Sequence, residues 1–363
     1  MCFFLLFFCF KFQALDFQWA RQFGNEESDT TSKLAIDNDG NSYVIGATSS
    51  LIFDLDPTVN GEQIVDNTAF NHLNFGEIYM SKLDKDGNFM WGKTFSTYKS
   101  SDDSPVDIKI GTDNNIYLLL VLNELNSGGT TDPTVNIIKL SPNGTEISRS
   151  KLRNLDHRFT GTLYASSFDL DNQNNIYLSG IYKRNVRLHP TDPSFNLNSD
   201  NYGQYLLKLN SDGDLVWKKT FSYIGFLKAI VRDDQNINVV YNDEAYSYNI
   251  FNLSSLDGSI LWQKNFTNQA AENFGVDLNG NIIISGIVAY TTNDADVNPS
   301  SDTFLVTSRK YFLWLDNNGN FLDVKEYEGN LFINGIKNDN ANNVYFAGFF
   351  NGTLDADPSS NSY

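Results

Sequence analysis

The chain has 363 residues, too many for one small core, so it forms several domains or one large repetitive fold. Lys+Arg 26 against Asp+Glu 44 give a formal net charge of -18, and no basic cluster interrupts the excess, which argues against a nucleic-acid partner. A hydrophobic fraction of 41% and an aromatic fraction of 14% exclude a disordered chain, while three His and two Cys leave little material for zinc, haem or thiol chemistry.

Residues 2–10, CFFLLFFCF, form an apolar run followed by Lys11. The run is too short for a membrane helix, which needs roughly 20 residues, but it has the length of a secretory signal core. Ala14 is the candidate cleavage residue, so residues 1–14 are read as a signal peptide and 15–363 as the mature chain. The bland alternative is a buried N-terminal strand. Cleavage there removes Cys2 and Cys9, so disulfides do not hold the mature protein together. No other apolar run is long enough to span a membrane.

Beyond residue 25 two kinds of turn alternate. The first reads Asp37-Asn-Asp-Gly-Asn41-Ser-Tyr43-Val-Ile-Gly46 and recurs around Asn115, Asn175, Asn236, Asn281 and Asn343. Tyr stands two residues after that Asn at Tyr43, Tyr117, Tyr177 and Tyr345, and Gly five after it at Gly46, Gly180, Gly286 and Gly348. The second reads Lys82-Leu-Asp-Lys-Asp-Gly87-Asn-Phe-Met-Trp91 and recurs at Gly144, Gly213, Gly258 and Gly319. Asp-Gly, Asn-Gly and Asn-Asn tolerate the positive φ of a tight antiparallel hairpin, and the flanks are β-branched and aromatic. One unit therefore carries two hairpins, or four short strands. The strand after the first turn (IYLLLVL, IIISGIV, VYFAGFF) is apolar on both faces, so it must lie between two neighbouring sheets.

Four-stranded sheets repeated at a fixed period predict an all-β protein, a β-propeller of four-stranded blades. The units run at about 25–100, 101–154, 155–225, 226–269 and 270–330, with a half unit at 331–363. The glycine within the second strand suits a site where another backbone comes close, as near a propeller axis. Phe17-Gln-Trp19-Ala-Arg-Gln-Phe23 repeats the Trp-x-x-x-Phe ending of the second hairpin. It is expected to be a fourth strand without a third, completing the last sheet of a closed ring. The chain stops after half a unit, which reads as a truncated reading frame.

These residues resemble the SBBP repeat family of secreted bacterial proteins, whose repeats are of the seven-bladed β-propeller type. The matching segments are FQWARQFG, AIDNDGNSYVIG, FDLDP and SKLDKDGNFMW within residues 16–95. The resemblance implies an extracellular propeller and no enzyme activity. Many similar proteins end in a sorting domain for export, and none is present in this sequence.

Asp54-Leu-Asp56-Pro57 and Asp355-Ala-Asp357-Pro358 fall at the same place in their units. Asp294-Ala-Asp296 is a looser version, and Thr131-Asp132-Pro133 and Thr191-Asp192-Pro193 keep only the end. Paired carboxylates in an extended loop can face one hard cation, so Asp54, Asp56, Asp355 and Asp357 are candidate calcium ligands. Against this stands plain turn initiation by Asp-Pro. Asp37-Asn-Asp39-Gly and Asp84-Lys-Asp86-Gly echo calcium loops, but they lack the acidic closing residue and read as hairpin turns.

The segment LDGSILWQKNF at 256–266 resembles quinoprotein propeller repeats, and its Trp is read as blade-to-blade packing. His72, His157 and His189 lie far apart with no nucleophile motif beside them, which points to surface or turn roles. The expected function is a secreted or cell-surface binding, adhesion or scaffold module without catalytic residues. Its partner would be an extracellular protein or glycan. The alternative is a propeller enzyme of quinoprotein or glycan-processing type.

Overall fold

The computed structural model describes residues 19–24, 29–58, 61–66, 77–95, 103–125, 131–153, 162–189, 192–200, 202–221, 225, 227–231, 233–244, 246–327, 330–339 and 341–351. The proposed signal peptide, His72, His157, Asp355 and Asp357 lie outside these residues.

Each hairpin predicted from the two turns forms. Sheet one consists of Asp29–Ile36, Ser42–Thr48, Glu77–Leu83 and Phe89–Thr94. Sheet two consists of Ser104–Ile110, Ile116–Leu125, Thr131–Leu140 and Glu146–Leu152. Thr162–Leu170, Ile176–Lys183, Tyr202–Leu209 and Leu215–Phe221 make sheet three. Leu227–Val231, Asn236–Glu244, Ser247–Ser254 and Ile260–Thr267 make sheet four. Gln269–Val276, Ile282–Val288, Lys310–Leu315 and Phe321–Tyr327 make sheet five. A hairpin of Asn330–Asn338 and Val344–Asn351 follows. In every sheet the strands lie side by side in chain order and pair antiparallel. There is no α-helix among the described residues.

The described residues divide into two compact units, one within 15–220 and the other within 221–363. Within the first, Ile45, Ile78 and Met80 of sheet one pack with Ile108, Leu118 and Leu120 of sheet two. Leu119, Val121 and Ile137 on the other face of sheet two pack with Leu163, Phe168 and Leu178 of sheet three. Alternate side chains of IYLLLVL thus enter two different cores, which is why this strand is apolar throughout. In the second unit Val240 and Ile250 of sheet four pack with Phe274, Ile284 and Leu313 of sheet five. Ile283, Phe312 and Trp314 on the far face pack with Ile333, Ile336 and Phe346 of the final hairpin.

The mid-strand glycine meets the close backbone approach expected of it, and a tyrosine ring as well. Gly46, Gly180 and Gly286 are cross-strand partners of Tyr79, Tyr205 and Tyr311. A Cβ on Gly180 would strike both the Tyr205 ring and the Tyr164 carbonyl oxygen. The Tyr205 hydroxyl donates to that carbonyl at 2.8 Å. The close approach is therefore made by the first strand of the same sheet and a tyrosine from its third strand. A β-bulge interrupts the first strand nearby, between Ala165 and Ser167.

Every fourth strand is a sheet edge, and four of them carry a bulge, at Met90, Ile147, Leu261 and Leu322. Such bulges break the regular ladder that would template another strand.

Candidate functional site

A four-stranded antiparallel meander puts both its hairpin turns at one end. The connection between its second and third strands lies at the other. These two ends have different chemistry.

At the turn end the acidic residues hold backbone. Asp37 Oδ1 accepts from the N–H groups of Asp39 (3.0 Å) and Asn41 (2.9 Å), and Oδ2 accepts from the Asn41 amide and the Tyr43 hydroxyl (both 2.9 Å). Burial pushes the Asp37 carboxyl up, but the bonds from Asn41 and Tyr43 outweigh it and hold the group below the usual carboxylate range. Burial first, then Asp37, push the Tyr43 hydroxyl up. Asp171 and Asp339 repeat this set with Asn175 and Tyr177, and with Asn343 and Tyr345. Where Gly111 replaces the Asp, Asp113 takes over Asn115 and Tyr117 and pairs with Lys139 at 2.7 Å. Asp84 and Asp316 do the same work in the second kind of turn. Hairpin chemistry thus accounts for the carboxylates of Asp37 and Asp84, which hold the backbone N–H groups of Asp39 and Asp86.

The fourth-strand tryptophans clasp the next sheet's second turn. Trp91 Nε1 donates to Pro142 O (3.1 Å) and Lys93 to Gly144 O (3.2 Å). Trp19 Nε1 donates to Lys85 O (3.1 Å) and Arg21 Nε to Gly87 O (2.7 Å), two residues and none before the turn glycine, as in the other pair. The Trp262 ring lies against Gly319 in the same manner. Residues 19–24 are not a strand, contrary to expectation, yet they occupy the clasp position of a fourth strand.

At the loop end the connections differ from sheet to sheet: 49–76, 126–130, 184–201, 245–246 and 289–309. Two carry small ribbons, Ile52–Asp54 with Ile64–Asp66 and Ala295–Asp296 with Leu305–Val306. Asp54 Oδ1 accepts from Asp56 N (2.9 Å) and Gln63 N (2.8 Å), and Asp56 Oδ1 from Thr58 N (2.9 Å) and the Thr58 hydroxyl (2.6 Å). The second ribbon shows how the repeats align. Asp296 Oδ1 accepts from Asn298 N and Phe304 N, and Asn298 Oδ1 accepts from Ser300 N. Leu55 N and Val297 N bond Gln63 O and Phe304 O, each at 3.0 Å.

The counterpart of Asp54-Leu-Asp56-Pro57 is therefore Asp296-Val-Asn298-Pro299, and the alignment of Asp294-Ala-Asp296 was two residues out of step. The expected Thr191-Asp192-Pro193 counterpart also shifts. Val186 and Leu197 exchange both backbone bonds at 2.8 Å, which sets Arg187 and His189 in the carboxylate positions. His189 Nδ1 accepts from Asp192 N at 2.9 Å, a turn role. Thr131-Asp132-Pro133 opens a strand rather than a loop. What recurs at these sites is a side-chain acceptor for a loop N–H. The carboxylate pair is particular to Asp54 and Asp56 among the described residues, and no group of three or more metal-ligating side chains forms among them.

One loop-end cluster was not foreseen. Tyr290, 79% exposed, has the Arg309 guanidinium over its ring and the Tyr246 ring edge-on at 6.4 Å. These residues lie in three separate stretches with no shared motif. Only the lone Tyr within the polar run after IIISGIVA could have signalled the site.

The fold is thus an all-β array of four-stranded antiparallel sheets with repeated turns. Residues 18–54, covering the first clasp and first turn, match the family model of the SBBP β-propeller repeat. Among solved structures, the β-propeller domain of the Trilobed protease from Pyrococcus furiosus is similar at 12% identity and TM-score 0.45, over 90% of this chain and 81% of that one. Virginiamycin B lyase from Staphylococcus aureus is similar at 10% identity and TM-score 0.36, over 82% and 96%. An ulvan lyase is similar at 14% identity and TM-score 0.41, over 83% and 71%. No curated protein matches the chain. No helix among the described residues is long and apolar enough to cross a membrane.

Proposed function

We propose that this chain is a recognition module without catalytic residues, exported from the cell, that binds an extracellular glycan or protein through the loop ends of its sheets. The observation that carries the reading is the contrast between the two ends. Turn-end Asp, Asn and Tyr side chains are engaged in the same hydrogen bonds sheet after sheet, while the loop-end connections vary in length and content. A rigid frame carrying variable loops is the arrangement in which binding sites concentrate. The proposal includes closure of a propeller ring by the N-terminal segment.

A glycan array probed with the purified chain tests it, together with an assay for new reducing or unsaturated sugar ends. Binding that survives turn-end substitution but falls with loop-end substitution supports the module. Turnover of any bound glycan would replace it with the enzyme reading.

A further inference from the structure

We infer that Arg309 and Tyr290 form a site for the carboxylate of a uronate sugar within an acidic glycan. The inference rests on the reading that the loop ends carry recognition. The frame of the site is fixed by backbone. Gln269 N donates to Tyr246 O (3.3 Å), Ala289 N to Asn268 O (2.8 Å) and Val288 N to Arg309 O (2.9 Å). These bonds join the turn at Tyr246, the connection into sheet five, the strand exit at Tyr290 and the returning loop. Glu326 Oε2 secures that return by accepting from Thr307 N (2.7 Å) and Ser308 N (2.5 Å).

On this frame the Arg309 guanidinium lies over the Tyr290 ring, and its Nε and Nη2 are buried without an acceptor. Buried donors on a charged group are rarely left unpaired in native proteins, because nothing then offsets their lost hydration. An acceptor arriving with a ligand accounts for them. Nε and Nη2 form the edge of the guanidinium that meets two oxygens side by side, which is carboxylate geometry.

The surroundings select a sugar as the carrier. Tyr290 is an exposed flat ring whose face suits the C–H face of a pyranose, and Tyr246 stands edge-on beside it. Thr291 and Asn293, both exposed, follow Tyr290 and offer partners for hydroxyl groups. An Asp- or Glu-rich peptide would meet the same cation but gain nothing from the ring face. Exposed side chains such as Tyr290 change rotamer within nanoseconds, a motion that would open the guanidinium to a ligand.

Calorimetric titration of the full chain tests the site with a galacturonate trimer, with maltotriose as the neutral sugar and triglutamate as the carboxylate without a sugar. The galacturonate trimer should bind at least about tenfold more tightly than either control. Arg309→Gln and Arg309→Lys should each weaken it about tenfold or more, since a lysine is a point charge without the paired donors. Tyr290→Ala should weaken it by a smaller factor, and all three variants should melt as the parent does. Equal binding by Arg309→Gln, or equal affinity for triglutamate, overturns the site. If the galacturonate trimer fails while the array reveals another ligand, this site is wrong and the module stands. A blank array with sugar turnover removes the module itself.

Discussion

The turn end and the loop end of each sheet use the same residue types to opposite effect. At the turn end Asp171 takes four hydrogen bonds, from Gln173 N, Asn175 N, the Asn175 amide and the Tyr177 hydroxyl, and is 4% exposed. At the loop end Asp54 holds two backbone N–H groups in a ribbon whose flanking Ile52 and Ile64 are 51% and 44% exposed. Asn-rich sequence therefore does not mean loose structure. Among the described residues, Asn41, Asn88, Asn175, Asn281, Asn320 and Asn343 each donate their side-chain amide to the Asp that opens their own tight turn. Turn-end carboxylates engaged by their own backbone have little left to offer a ligand, whereas Arg309 Nε and Nη2 at the loop end have no acceptor.

The largest effect should come from Asp171→Ala, which leaves several buried donors unpaired at once. We expect a loss of about 2–4 kcal/mol in denaturant unfolding, against less than about 0.5 kcal/mol for Arg309→Gln. Similar losses at the two sites would erase the distinction between the ends. Trp91→Ala should come next, at about 2 kcal/mol, by removing both the ring contact with the 141–145 turn and the bond to Pro142 O. Trp91→Phe, which keeps most of the ring, should cost about 1 kcal/mol. If the two substitutions cost the same, the indole N–H contributes nothing to the clasp.

Acid should act on the turn end first. Hydrogen bonds from Asn343, reinforced by Tyr345, lower the Asp339 carboxyl to about 2. Asp113 is also held low, where burial opposes the shift and Lys139 with Asn115 prevails. An unfolded Asp titrates near 3.9, so the unfolded chain binds more protons between about pH 4 and pH 2. The stability these groups contribute is complete above that window and is lost as pH falls through it. Melting followed from pH 5 to pH 2 should show the decline, with a shallower slope for Asp339→Asn. An unchanged slope would mean that the turn carboxylates are not what acid attacks.

The sequence made the frame legible because the frame is local. Each turn is specified by residues within six positions of one another, and the alternation of Asn41-type and Gly87-type turns marks every hairpin. The sandwiched strands could be read from unbroken apolar runs such as IYLLLVL. Three things could not be read. The tyrosine that fills the space over Gly180 comes from the next strand, beyond the 184–201 connection, so the glycine suggested backbone approach alone. The Asp-x-Asp-Pro motif was aligned on its carboxylates, whereas the structure aligns it on the buried residue between them, Leu55 or Val297. That choice hid Asn298 and His189 as counterparts of Asp56. Arg309 and Tyr290 meet only through the return of a long loop, and no spacing encodes that.

The smallest effect should come from the loop-end carboxylates, and it sharpens the contrast most. Asp54→Ala removes the acceptor of Asp56 N and Gln63 N, but both groups lie in a half-exposed ribbon where water replaces the lost partner. The expected cost is about 1 kcal/mol or less, confined to residues 52–66 and visible as faster amide exchange there. Calcium provides the second arm of this experiment. Had the motif evolved only to hold a cation, its repeats would keep both carboxylates, yet Asn298 and His189 replace Asp56 while each still accepts a loop N–H. Asp54→Ala should therefore loosen the ribbon equally in millimolar calcium and in chelator. Protection of residues 52–66 that rises with calcium in the parent, does not rise with magnesium, and disappears in Asp54→Ala with Asp56→Ala would assign the remaining carboxylate oxygens to the ion.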